Sequence, residues 1–154
     1  MPYYYGTAMN ANTNGSANTN SSSMSYLGLA GLRYAIQKIM AGMYATPADN
    51  AAWLRANRTS VLSTSGSAIV PTPQIADAPA AACVVKTGVT LGTLIAVPNL
   101  QLAFNQRGTA MWAAFNADES LASVGATAPN AEIALVNQCT GTSVNLNVTG
   151  IHSE

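Results

Sequence analysis

Residues 143–151 read SVNLNVTGI, and apolar and polar side chains alternate throughout this run. Val144, Leu146 and Val148 fall on one side of an extended chain, and the asparagines and threonine between them fall on the other. Successive side chains of a β-strand point to opposite faces of its sheet. The run therefore predicts a strand with one buried face and one polar, uncharged face.

Several shorter runs of β-forming residues precede this strand, and turn signals such as Thr87-Gly88 and Pro98-Asn99 separate them. The runs cover residues 83–86, 89–97, 100–104, 109–115 and 132–137. Short strands spaced by roughly ten residues are typical of antiparallel sandwiches and barrels. We therefore predict an antiparallel, jelly-roll-like β-sandwich or barrel over residues 64–154, with one helical turn at 117–121 between two of its strands.

The segment AIVPTPQIADAPAAA, residues 68–82, is rich in proline. Proline has no N–H group to donate to a neighbouring strand, so it is confined to edge strands, strand starts and bulges. Pro71, Pro73 and Pro79 therefore predict an extended crossover or an edge segment, and they argue against a central strand here.

Residues 24–63 show a different pattern, because apolar side chains recur there at the three- and four-residue spacing of a helix. These side chains are Leu29, Leu32, Ile36, Ile39, Met40 and Met43. Ser25 is a suitable N-cap for a first helix, and Thr46 with Pro47 suits the start of a second helix that continues to about residue 58. We expect one or two α-helices in this segment, and its charged residues argue against a membrane span.

Charged residues make up only 8% of the chain, and six basic and six acidic side chains give a formal net charge of zero. Soluble proteins carry about 25% charged residues, and a net charge away from zero opposes association. The sequence therefore favours a surface that packs against neighbouring subunits. The alternative is a neutral surface kept soluble by Asn, Ser and Thr, as in many secreted proteins. The basic residues are scattered along the chain, which argues against nucleic acid as a partner.

The sequence offers few residues for catalysis or metal binding. Cys83 and Cys139 allow one disulfide, but a chain without an evident export signal favours two separate buried thiols. Neither belongs to a Cys-x-x-Cys pair, and His152 is the only histidine, so we predict no metal site and no cofactor. His152 stands near a chain end that we expect to fray, and the adjacent acids Asp118 and Glu119 suggest a solvated turn. We expect no enzymatic activity and no small-molecule substrate.

Residues 1–23 are predicted to form an extended polar arm. From Gly6 to Ser23 the chain has no charge and many turn-forming residues, and ordering it costs about 1–2 kcal/mol per residue of backbone entropy. The arm offers no apolar stripe, so we expect a neighbouring subunit to hold it by edge pairing, with the tyrosines as an anchor. Removing residues 2–23 should then leave a folded domain. The predicted interface comprises Pro2, Tyr3, Tyr4, Tyr5, Asn10, Asn12, Asn14, Asn18 and Asn20.

An uncharged surface, an extended arm and a compact β domain together suggest a subunit of a protein shell. The plan resembles in architecture the decoration, or cement, proteins on capsids of tailed bacteriophages, which assemble without a leader in the host cytoplasm. Its expected partners are identical copies, with a trimer as one arrangement that such proteins adopt, and a major capsid or other virion protein; no membrane is expected. The alternatives are another minor virion subunit, such as a tail-tube or head-fibre protein, and a secreted carbohydrate-binding β-sandwich with Trp53 or Trp112 as a stacking platform.

Overall fold

The computed structural model describes residues 2–11, 21–44, 46–124, 131–141 and 145–154, and their regular structure is almost entirely β. The strands are β1 (Tyr3–Ala11), β2 (Ser21–Leu27), β3 (Arg33–Met43), β4 (Ala51–Arg58), β5 (Ser67–Ile69), β6 (Thr72–Pro73), β7 (Val84–Thr87), β8 (Leu100–Asn105), β9 (Thr109–Ala113), β10 (Leu121–Val124), β11 (Glu132–Cys139) and β12 (Leu146–Ser153). A 3-10 turn, Ala117–Glu119, lies between β9 and β10.

The strands form two antiparallel sheets, consistent with a β-sandwich. The first sheet has the order β10-β3-β12-β1-β6, with β9 also paired to β3. β10 pairs with the beginning of β3 and β9 with its later part, so both lie on the edge of β3 opposite β12. The second sheet has the order β5-β7-β2-β11-β4-β8. Strands from the sequence segments 1–23, 24–63 and 64–154 are thus interleaved in the same two sheets.

The hydrophobic core lies between the sheets, with Tyr34 and Ile36 from the first and Leu54 and Leu135 from the second. The alternation predicted for the last strand is confirmed, because Leu146 and Val148 are buried and the residues between them are partly exposed.

Two glycines make room in this core for a tyrosine of the opposite sheet. Gly6 of β1 pairs with Gly150 of β12, and the Tyr26 hydroxyl from β2 sits over the pair. A Cβ added at Gly150 would lie 1.9 Å from that oxygen, whereas one at Gly6 would lie 3.6 Å from it. The absence of a side chain at Gly150 therefore leaves room for the ring of Tyr26.

The prediction of helices in residues 24–63 is wrong, because β2, β3 and β4 occupy this segment. The register between β3 and β12 shifts, since Ile151 pairs with Lys38 but His152 pairs with Ile36. β3 therefore carries one extra residue at Gln37, a β-bulge. The bulge places the buried side chains of Ile36 and Ile39 three residues apart, which imitates the spacing of a helix.

The second expected helix is also a strand. In β4 the buried residues Ala52, Leu54 and Ala56 follow the two-residue period of a sheet. The carboxylate of Asp49 accepts a hydrogen bond from the side-chain amide of Asn105. Asp49 lies in a loop and not at the start of a helix. No helix in the described ranges is long and apolar enough to cross a membrane.

Most strands expected after residue 64 are confirmed, as β7, β8, β9, β11 and β12, and so is the helical turn near residue 117. The proline-rich segment supplies β5 and β6, which lie at sheet edges as proline requires. The run 89–97 differs, because it makes only isolated bridges at Thr90 and Leu94. These bridges pair it with residues 64 and 59, so it runs beside the chain that follows β4.

Candidate interaction surface

The first residues of the predicted arm are a strand of the chain's own sheet. β1 pairs with β12 from Tyr3 opposite Ser153 to Ala11 opposite Leu146, and it pairs with β6 on its other side. Hydrogen bonds on both edges supply the ordering that the arm was expected to take from another subunit. This arrangement differs from the expectation that residues 2–23 can be removed without loss of the fold.

Tyr4 belongs to the core of its own domain. It is 1% exposed, its hydroxyl donates to the Pro79 carbonyl at 3.1 Å, and its ring stacks on His152 with centroids 5.4 Å apart. Alternate residues of a strand point to opposite faces, and Tyr4 lies on the face of β1 that points into its own domain. A neighbouring subunit therefore cannot contact it.

Tyr3 and Tyr5 point to the opposite side, where Tyr3 is exposed and Tyr5 partly exposed. Pro2 is half-buried just before β1, and Asn10 lies within β1. Asn12, Asn14, Asn18 and Asn20 lie outside the described residues. The interface role of these residues stays a prediction.

The side chains that point away from the second sheet form a broad, almost uncharged surface, which we call the outer face. Its members are Tyr3, Tyr5, Thr7, Lys38, Met40, Gly42, Thr109, Met111, Ala113, Asn147, Thr149 and Ile151. Lys38 carries the single charge of this set, and Arg33 at the beginning of β3 adds an exposed charge on the same side of the sheet. One row of the outer face runs across four strands as Thr7, Thr149, Met40 and Met111, and the hydroxyl oxygens of its two threonines are 3.2 Å apart.

A shallow trough of about 410 Å³ crosses the outer face between β12, β3 and β9. Met40 and Met111 line it together with threonine and asparagine side chains. Gly42 keeps the trough open, because a Cβ there would lie 3.3 Å from the Thr109 methyl group. The lining is neutral and can adapt its shape, since methionine side chains are flexible.

Two large exposed apolar side chains lie on the outer face, where Met111 is 65% exposed and Tyr3 is 44% exposed. The other large exposed apolar side chains of the described ranges lie in connecting segments of both sheets, namely Leu29, Tyr44, Val61, Val70, Ile75, Val97 and Phe115. Apolar surface of this kind, with little charge, is typical of protein-protein contacts.

A second group of residues, which the sequence analysis missed, lies buried inside the sandwich. His152 is fully buried and its Nε2 lies 3.2 Å from a carboxylate oxygen of Glu154, so the expectation of a frayed chain here is wrong. Burial lowers the pKa of His152, against a smaller opposing effect of Glu154. Burial also raises the pKa of the nearby Cys83 thiol to about 12, with Glu154 adding to the rise.

These residues come from distant parts of the sequence. Cys83 and His152 are 69 positions apart by their numbers, and neither stands in a recognisable motif. Only the packing of the first sheet, which contains β12, against the second sheet, which contains β7, brings them together, so the sequence contained no local signal for the group.

The other candidates of the sequence analysis are dispersed. Asp118 and Glu119 lie in the 3-10 turn, where Glu119 accepts hydrogen bonds from Phe115 and Asn116 next to it. Trp112 packs against the core, and the Trp53 indole donates to Gln138 at 2.7 Å. The cysteines Cys83 and Cys139 are both buried and not joined by a disulfide, which confirms the prediction of separate thiols.

Comparison with known proteins gives no match to the chain among protein-family models, curated proteins or solved structures. The functional argument therefore depends on the fold and on the geometry of its surfaces.

Proposed function

We propose that this protein is a non-enzymatic structural subunit of a virion, and that its outer face makes the contact with neighbouring subunits. The observation that carries the proposal is the connectivity of the two sheets. β9 and β10 lie end to end along one edge of β3, so they count as one interrupted strand. Eight principal strands then remain in the described ranges when the short strands β5, β6 and β7 are set aside.

Numbered in chain order, these eight strands are β1, β2, β3, β4, β8, the β9–β10 pair, β11 and β12. One sheet then has the order 1-8-3-6 and the other the order 2-7-4-5. We infer a jelly roll from this order, since eight strands in two sheets with Greek-key connections define that architecture. Jelly rolls are common in viral capsid proteins and in lectins.

The surfaces favour the capsid class over the lectin class. The two tryptophans considered as a sugar-stacking platform are engaged elsewhere, because Trp112 packs against the core and the Trp53 indole donates to Gln138. The exposed aromatic rings of the described residues are instead those of Tyr3, Tyr44 and Phe115. The outer face is instead broad, neutral and partly apolar, and its Met111 is well exposed. A surface with few charges desolvates at low cost when it meets another protein.

Within the virion we propose the role of a capsid decoration protein of a tailed bacteriophage, with identical copies and a major capsid protein as partners. The sequence suggested a contact through an extended arm. We propose a contact through the outer face in its place, because residues 3–11 are paired within their own sheet. Tyr3 and Tyr5 keep their expected place in the interface.

Light scattering of the purified chain over a range of concentrations tests the proposal. We expect concentration-dependent self-association that Met111→Glu weakens about tenfold or more, since a charge at a buried contact is costly. Gln101→Glu is the matched control, because Gln101 is exposed on the edge strand β8 of the second sheet. This control should associate like the unmodified protein.

A monodisperse monomer that binds glycans would refute the proposal, and so would an oligomer that Met111→Glu leaves unchanged. Electron microscopy of the native particle, with the subunit labelled, should place the outer face against a neighbour. A particle in which the outer face points to solvent would also contradict the proposed contact.

A further inference from the structure

Three side chains of different metal-binding types meet inside the sandwich. Cys83 stands just before β7 of the second sheet, His152 lies in β12 of the first sheet, and Glu154 follows β12. One ligand atom from each, a sulfur, a ring nitrogen and a carboxylate oxygen, lies within 4.8 Å of the other two. Cys83 and His152 are buried and Glu154 is partly exposed. An ion bound here would link the two sheets and would have access from the side of Glu154.

The spacing of these atoms is close to that around a tetrahedral zinc ion. Bond lengths of about 2.0–2.3 Å place two ligands of tetrahedral zinc roughly 3.3–3.6 Å apart. The Nε2 atom of His152 and the Oε1 atom of Glu154 are already 3.2 Å apart. The ligand atoms lie within 4.8 Å of one another, so the thiol of Cys83 needs to approach this pair by at most about 1.5 Å.

The surroundings hold the carboxylate and the imidazole in place. The backbone N–H groups of Ala82 and Cys83 donate to Glu154 at 2.7 and 2.6 Å. The ring of His152 lies between Tyr4 and Tyr26, with centroids 5.4 Å from each. Orientation of ligands by surrounding groups is characteristic of metal sites. The Nδ1 atom of His152, the ring nitrogen that does not face Glu154, is buried without a hydrogen-bond partner in the described part of the chain.

The charges of the three ligands suit a dication. A thiolate and a carboxylate together neutralise a divalent ion, and the imidazole binds as a neutral ligand. The thiol proton of Cys83 leaves to solvent when the metal–sulfur bond forms, so the occupied site has no net charge. A neutral site avoids the cost of burying an unpaired ion. Sulfur with nitrogen and oxygen in a tetrahedral arrangement favours zinc over magnesium or calcium.

We propose that Cys83, His152 and Glu154 bind a zinc ion with water as the fourth ligand, and that this ion fastens β12 to the segment before β7. This role is independent of the proposed contact through the outer face.

Titration of the reduced, purified protein with cobalt(II) tests the site directly. We expect one equivalent to produce the charge-transfer absorption of a thiolate–cobalt bond and the visible bands of tetrahedral cobalt, and zinc should displace it. Cys83→Ala should remove the charge-transfer absorption. Cys139→Ala is the matched control, because Cys139 is also a buried thiol but is not in the three-residue group. This control should bind cobalt as the unmodified chain does.

A second measurement on the unmodified chain keeps the test independent of variants that fail to fold. Peptide mapping after alkylation should show that zinc slows modification of Cys83 about tenfold or more beyond any slowing at Cys139, which zinc protects only by stabilising the fold. Absence of thiolate–cobalt absorption would overturn the proposal, and so would equal binding by the two cysteine variants. Equal protection of both cysteines would overturn it as well.

Discussion

Replacement of Tyr4 by alanine tests whether the beginning of the chain is part of the core. The side chain is 1% exposed, stacks on His152 and donates a hydrogen bond to Pro79. Truncation of a buried aromatic ring to alanine is among the most destabilising core substitutions, because it leaves a cavity that the surroundings fill only in part. For a chain of this length we expect the melting temperature to fall by about 10 °C.

Its neighbour Tyr3 provides the matched control. It is the same residue type on the same strand, but its side chain points to the outer face and is 44% exposed. Tyr3→Ala should change the melting temperature by about 2 °C or less, because exposed substitutions cost little. Tyr4→Phe keeps the ring and removes only the hydrogen bond, so it should lower the melting temperature by about 2–4 °C.

Thermal unfolding followed by circular dichroism, at one protein concentration for all four chains, measures these differences. Concentration is fixed because association through the outer face would itself raise the melting temperature. Equal, small shifts for Tyr3→Ala and Tyr4→Ala would refute the packing of β1 on its own domain. That result would instead support the external anchor that the sequence suggested.

Two further predictions concern the interior. Gly150→Ala should destabilise the fold by about 1–3 kcal/mol in urea unfolding, because its Cβ would collide with the hydroxyl of Tyr26. Gly6→Ala should destabilise the fold less, because the nearest contact of its Cβ would be at 3.5 Å. A larger effect of Gly6→Ala than of Gly150→Ala would contradict this packing. Burial raises the pKa of Tyr34 above its ordinary value near 10, so above pH 10 the unfolded chain releases a proton that the folded chain keeps. The contribution of Tyr34 to stability should therefore fall as pH rises above about 10, by up to about 1.4 kcal/mol per pH unit, and the raised pKa of the buried Tyr26 adds to the total slope. Tyr34→Phe should reduce this slope, and an unchanged slope would count against the buried, un-ionised hydroxyl.

The sequence predicted the later strands from runs of β-forming residues between turn signals, and in β12 also from alternating burial, whereas β11 is buried along its whole length. In β12 the period of two is intact at Leu146 and Val148, and turn residues mark the ends of its neighbours. The same reasoning failed in β3, where one inserted residue at Gln37 changes the spacing of buried positions. A bulge depends on the partner strand, so a single segment read alone gives no sign of it.

The ordering of residues 3–11 was misjudged for a related reason. The entropy estimate for the arm counted the cost of fixing each residue but no partner within the chain. β1 lies between β12 and β6, so both of its edges form hydrogen bonds, and its inward positions Tyr4, Gly6 and Ala8 are buried. These partners are more than 60 residues away in the sequence, beyond the range of any local pattern.

The candidate interaction surface could be predicted in part. Low charge pointed to a surface suited to contact with other subunits, and Tyr3 and Tyr5 fall on the outer face. The outer face itself could not be predicted, because Met40 was assigned to a helix and Met111 to a strand, residues 109–115, whose pairing partners were not known. Their adjacency follows from the pairing of β3 with β9, which connects residues about 70 positions apart.

Alternation along β12 connects both proposals and also allows them to be tested separately. Thr149 and Ile151 lie on the outer face, while Gly150 and His152 point into the sandwich. A variant that empties the zinc site, such as Cys83→Ala, leaves every side chain of the outer face in place. It should therefore lower the melting temperature in the presence of zinc without weakening self-association of the folded protein. If Cys83→Ala lost self-association as well as thermal stability, at a temperature where circular dichroism shows the variant folded, the ion would also set the shape of the outer face.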